Sequence, residues 1–281
     1  MRIDAHHHLW TLARGDYGWL TSDLAPIYRD FSLADLAPHL AAAGIEGTIL
    51  VQAAPTEAET TFLLGIAENA EVVRGVVGWT DFDAADAMPR IDVLAARELL
   101  VGLRPMVHDI ADDDWLLGPA LVPLLRAMAG YGLVFDALVK PRHLPRLLRV
   151  IDSHPDLQFV LDHCGKPQIA TGEIAVWQRD IALLAERPNI VCKLSGLATE
   201  AAPDWQIADL CQAADHVLAC FGPGRLLWGS DWPVVNLAGG YAKWLAAARA
   251  LLADLSQDEK ADVFGNNAAR IYLSKRGRPT P

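Results

Sequence analysis

Positive charge is in deficit in this sequence. Against 35 Asp and Glu, its 281 residues carry 24 Lys and Arg, a formal net charge of -11. That balance excludes nucleic acid or an anionic membrane as the main partner, because both demand a basic face. The carboxylates are scattered rather than gathered in a tail, the pattern of a solvated surface. Cysteine is sparse. Cys164, Cys192, Cys211 and Cys220 form no CxxC pair, and the first two fall in strand-like runs where a reduced, buried thiol is the ordinary outcome. No apolar run approaches the roughly 18 residues of a membrane span, and no basic stretch followed by an apolar one opens the chain. Low-complexity segments and evident linkers are missing too. These absences predict a cytoplasmic chain folded as one domain over residues 1–281.

What the sequence does contain is an apolar rhythm. Near-continuous runs lie at 2–8, 47–53, 73–81, 100–108, 133–140, 158–165, 190–197 and 226–233. Their length and continuity fit strands of a parallel sheet covered on its faces. Between them, Ala/Leu-rich stretches such as 35–46, 56–71, 122–132 and 177–189 have helical periodicity, and several end at Gly or Pro. Ser256, followed three residues later by Glu259, is a capping-box signature opening a helix over 256–264. Eight strands alternating with helices predict a (β/α)8 TIM barrel, and 52% hydrophobic content suffices for one large core. The competing doubly wound sheet wants a glycine-rich phosphate turn after its first strand; His7, His8, Leu9 and Trp10 stand there instead.

A barrel of this kind keeps its chemistry at the C-terminal ends of its strands. The first run ends in His6, His7 and His8, which pass directly into Leu9 and Trp10 rather than into a Gly/Ser linker, and so read as native sequence rather than a tag. Side chains alternate along a strand. His6 and His8 therefore share a face and can converge on one ion or one substrate atom, while His7 turns towards the helical layer. Further ionisable or polar groups follow at the other strand ends: Arg104 and His108, Asp136 and Lys140, Asp162, His163 and Lys166, Lys193 and Ser195, then Ser230 and Asp231. Singly, each reads equally well as an ion pair or a loop cap. Together they gather at one end of most strands, which packing alone does not explain.

The motifs IDAHHHLW, LDHCGKP, CKLSGL, WGSDWPV and FGNNAARIY, spread from about residue 2 to residue 273, resemble those of the amidohydrolase superfamily. The resemblance is strongest to its lactone-hydrolysing branch, which includes sugar lactonases acting on fuconolactone or rhamnonolactone and the pyrone-dicarboxylate lactonase. It implies a carboxylic ester hydrolase that opens a small sugar lactone. Asp231 would be the base that activates water, His163 would hold the water or the carbonyl oxygen, and His6 and His8 would complete the floor. Arg104, Lys166 and Lys140 would bind substrate, with Trp10 and Trp232 presenting aromatic faces to the sugar ring.

Two versions of this chemistry compete. In one, His6, His8, His163 and Asp231 surround a divalent ion, zinc by the character of the N and O donors, which would lower the pKa of its bound water to about 7. In the other no metal is required. Arg104, Lys166 and the histidines then stabilise the oxyanion, a single such donor being worth roughly 3–4 kcal/mol. A lactone opens more easily than an amide, and the resembled branch contains metal-independent lactonases. The expectation is therefore a site able to bind zinc whose turnover does not depend on it. Nothing marks Lys140 as a carboxylated bridge between two metals. A metal-dependent decarboxylase or another hydrolase of the superfamily is the alternative within enzymes. A non-catalytic binding barrel is the alternative outside them, and the intact set His6, His8, His163 and Asp231 speaks against it.

Overall fold

Every one of the eight apolar runs becomes a strand, and every strand is shorter than its run. The computed structural model describes residues 1–274; residues 275–281, the end of the expected domain, lie outside the described residues. The strands are β1 (Ile3–His7), β2 (Gly47–Val51), β3 (Val73–Gly78), β4 (Leu100–Leu103), β5 (Val134–Ala137), β6 (Phe159–Leu161), β7 (Ile190–Leu194) and β8 (Leu226–Trp228). Most of the polar residues that end the runs lie in the loops above the sheet, whereas His6, His7, Asp136 and Lys193 stay in their strands. Helices alternate with the strands: α1 (Leu33–Ala43), α2 (Glu57–Ala67), α3 (Ala87–Ala95), α4 (Leu121–Gly130), α5 (Leu144–Ser153), α6 (Ala175–Ala185), α7 (Ile207–Phe221) and α8 (Gly240–Leu251). Ser256 caps α9 (Gln257–Ala261), its hydroxyl accepting from the Glu259 N–H. That helix is shorter than its sequence pattern because the chain widens into π turns from Asp262 onwards.

All neighbouring strands are parallel and ordered β1 to β8. The ring closes where the Asp231 N–H donates to the His6 carbonyl at 2.8 Å and the His8 N–H donates to the Trp232 carbonyl at 2.7 Å. The architecture is a (β/α)8 barrel. β-Branched side chains fill its interior, among them Ile49, Val51, Val77, Val101, Val134, Val160 and Val191. Ala268, Ile271 and Tyr272 of the C-terminal segment join that interior cluster. A second, larger core lies between the strands and the helices. Among the described residues, no helix is long and apolar enough to cross a membrane.

One irregularity decides where the first motif points. Ile3 and Ala5 both face the barrel interior, so strict alternation would turn His6 outwards. The register with β2 slips between Asp4 and His7, and this bulge returns His6 to the interior with His8. His7 then pairs with Leu50, whose side chain belongs to the outer core.

Candidate active site

A cavity of about 310 Å³ opens above the C-terminal ends of the strands, lined by His8, Arg104, His108, His163, Lys166 and Asp231 together with Trp19, Met106, Asp109 and Glu200. His6 lies buried beneath it. Two loops flanking the end of β7 hold an uncommon backbone conformation. His163, Cys164 and Lys166 after β6, and Asp231 after β8, all have φ between 52° and 56°. Side chains rarely adopt this left-handed region, and each such residue costs roughly 1–3 kcal/mol, a strain that clusters at functional sites. Close neighbours must then be small. A Cβ on Gly196 would stand 2.7 Å from the His163 side chain, and one on Gly229 would stand 2.6 Å from His6 Cβ.

The polar atoms meet around Asp231. Its Oδ1 lies 3.2 Å from His8 Nε2, 3.6 Å from His6 Nε2 and 4.0 Å from His163 Nε2. Val51 O can only accept, so the 2.8 Å contact places a proton on His8 Nδ1 and turns His8 Nε2 towards Asp231. His163 Nδ1 is paired with Ser195 Oγ at 2.9 Å, so its Nε2 likewise faces the cavity. Burial lowers the His163 pKa to about 4 despite the nearby Asp231 and Asp162 carboxylates. Burial alone would raise Asp231; His163, His8 and His6 hold it far below the usual carboxylate range instead. Three ring nitrogens and a carboxylate oxygen thus converge on one point. One donor atom each from His6, His163 and Asp231 lies within 4.8 Å of the others, and His8 Nε2 is 3.1 Å from His6 Nε2. Such a set of nitrogen and oxygen donors fits one divalent ion. Asp162 Oδ1, also buried, lies 3.5 Å from His6 Nδ1.

Below this cluster runs a buried ionic array. Lys193 Nζ contacts Asp136 Oδ2 at 2.5 Å, Asp162 Oδ1 at 3.0 Å and His6 Nδ1 at 3.2 Å. Tyr272, from the C-terminal segment, donates its hydroxyl to Asp136 at 2.9 Å. Arg104 contributes from the other side, 3.1 Å from Asp162 Oδ2 and 3.4 Å from His6 Nε2, and donates to the Gln52 carbonyl. Burial would raise Asp162, but Lys193, His6 and Arg104 keep it well below its ordinary value. Asp136 responds oppositely: burial lifts it to about 6 against the pull of Lys193.

Of the residues singled out by sequence, the fold brings His6, His8, His163, Asp231, Arg104 and Lys166 to one place. Lys140, Trp10 and Trp232 do not line the cavity. Trp10 is fully buried with its indole N–H on the Arg29 carbonyl, and Trp232 is packed edge-on against Phe31, so both belong to the outer core. Sequence reasoning attached them to the site because they adjoin its motifs. Trp19 forms part of the cavity wall instead. Glu200 and Gln52 were missed altogether. Glu200 lies beyond the CKLSGL motif and Gln52 directly after β2, so each carried the positional signal of a polar residue following a strand end.

The amidohydrolase family matches residues 3–273 of the chain. The chain is 45% identical to an L-fucono-1,5-lactonase from Burkholderia ambifaria, with 98% of this chain and 96% of the relative covered. It is 34% identical to an L-fucono-1,5-lactonase from Burkholderia multivorans, covering 97% and 96% respectively. A crystal structure of a Burkholderia multivorans amidohydrolase with bound zinc superposes with a TM-score of 0.92 at 34% identity, covering 97% of this chain and 99% of that one.

Proposed function

The chain belongs to the amidohydrolase family, and we propose that it hydrolyses a sugar lactone with water activated by Asp231. The enzyme is a lactonase, a carboxylic ester hydrolase. The observation that carries the mechanism is the convergence of Asp231 Oδ1 and His163 Nε2, 4.0 Å apart on the cavity wall. A water between them can donate one hydrogen bond to each.

Asp231 is ionised throughout the physiological range and takes the proton as the water oxygen attacks the lactone carbonyl carbon. The developing oxyanion is met by positive charge from Arg104 and by a proton on His6 Nε2, the nitrogen left protonated when Lys193 donates to Nδ1. Collapse of the tetrahedral intermediate breaks the bond to the ring oxygen. The proton held on Asp231 passes to that oxygen, and the product is the open-chain hydroxy acid.

A divalent ion, zinc by the nature of the donors, would be held by His8, His163 and Asp231, with His6 joining them once its Nε2 gives up its proton, and would supply a Lewis acid and a water of lowered pKa. Arg104 already provides fixed positive charge beside His6, so in this reading lactone opening does not require the ion.

The substrate class follows from the two Burkholderia relatives: L-fucono-1,5-lactone or a closely related six-membered aldonolactone. A pH-indicator assay over five- and six-membered aldonolactones tests it. Proton release without CO2, fastest on 1,5-lactones of this type, is expected. Release of CO2 from carboxylated substrates, with no lactone opened, would overturn it.

A further inference from the structure

Building on the lactonase reading, we infer that Glu200 restricts this cavity to uncharged lactones by holding Lys166 in an ion pair. Lys166 Nζ stands 2.5 Å from Glu200 Oε1, with the side chains 21% and 24% exposed, so the pair sits at the rim but is partly withdrawn from water. Both backbones are fixed. The Lys166 N–H donates to the His163 carbonyl at 2.8 Å from a left-handed conformation. The Glu200 N–H reaches the carbonyls of Gly196 and Leu197, and its own carbonyl accepts from the Ala170 N–H at 3.0 Å. Glu200 is therefore a built counter-charge rather than a passing surface contact.

The charges around the cavity explain why this matters. Its wall holds two cations, Arg104 and Lys166, against three carboxylates, Asp109, Glu200 and Asp231. Arg104 is engaged by Asp162 and the Gln52 carbonyl. Arg104 is only 3% exposed and lies against the reacting centre, so Lys166 is the wall cation open to a substrate carboxylate, and Glu200 already neutralises it. An anionic ligand would desolvate its charge with no partner, whereas a neutral lactone asks only for hydrogen bonds to its hydroxyls. Specificity against anions is thus exerted by an unfavourable element rather than by extra attraction to the correct ligand.

Replacing the charge while keeping the shape frees Lys166. The test is calorimetric binding of galactarate, an acyclic sugar dianion, to the wild type, Glu200→Gln, Lys166→Met and the double variant. Glu200→Gln should bind galactarate at least fivefold more tightly than the wild type. That gain should vanish in the double variant and shrink in 0.5 M salt, as expected for a partly exposed ion pair. Lys166→Met alone, which leaves Glu200 unpaired, should bind it no better than the wild type. Glu200→Ala carries the same expectation should the Gln variant fold poorly. A gain below fivefold, or one that survives without Lys166, overturns the inference. Binding of galactarate requires no turnover, so this result is independent of the neutral-lactone assay that tests the lactonase reading itself.

Discussion

The ammonium of Lys193 lies 3.2 Å from Nδ1 of His6, and neither side chain is exposed to solvent. An ammonium has only donors, so this contact presents the His6 lone pair to Lys193 and turns its N–H towards the cavity. The cation that sets this is itself held by Asp136, which in turn accepts from Tyr272. A residue near the end of the chain is thereby coupled to the first strand.

Tyr272→Phe tests that coupling. Removing the hydroxyl leaves one acceptor of a buried carboxylate unmet, which costs about 1–3 kcal/mol. Urea unfolding should show a loss of this size, with a lower kcat and little change in KM. An unchanged unfolding midpoint would show that the Tyr272–Asp136 bond does not support the array.

Asp231→Asn keeps the size of the side chain but removes the proton acceptor. Lactone turnover should fall by about 10²–10⁴-fold, the usual contribution of a general base. Activity surviving within about tenfold would remove Asp231 from that role.

Chelation separates the two versions of the site. Enzyme stripped of metal should keep kcat/KM within about tenfold of the untreated protein, because Arg104 supplies charge and His6 a hydrogen bond to the oxyanion. Zinc should still bind the stripped protein and bind more weakly to His163→Ala. A loss beyond a hundredfold, restored by zinc, would make the ion indispensable.

Glu59 provides a pH signature in stability. Its buried carboxylate accepts the N–H groups of Ala53 and Ala54 in the loop after β2. Burial nevertheless raises its pKa from 4.5 to about 7, against those hydrogen bonds. Between these values the unfolded chain has lost the proton while the folded chain retains it. Raising the pH across this window therefore favours unfolding, by about 3 kcal/mol in total, and below pH 4.5 the group contributes no slope. Urea unfolding at pH 5 and pH 7 should show a smaller decline for Glu59→Gln than for the wild type. Equal declines in the two proteins would contradict the assignment.

Local pattern was enough for much of this protein. Eight apolar runs at strand length, helical stretches between them and the Ser256 capping box each depend on neighbours a few residues away, and so are legible in one dimension. The pairing of His6 with His8 was legible for the same reason, since alternation is a property of any strand. Chain order then placed Arg104, His163, Lys166 and Asp231 at one mouth, because a parallel barrel carries every strand end to the same side. Tertiary structure decided the rest. The bulge that turns His6 inwards arises from the register of β1 on β2. The burial of Trp10 and Trp232 depends on packing against Phe31 and the segment around it. The contacts of Lys193 with His6 and Asp136, and of Tyr272 with Asp136, join residues from opposite parts of the chain, and Glu200 meets Lys166 across two separate loops. Such contacts leave no periodic trace in sequence, because their energy depends on which side chains closure of the barrel drives out of water together.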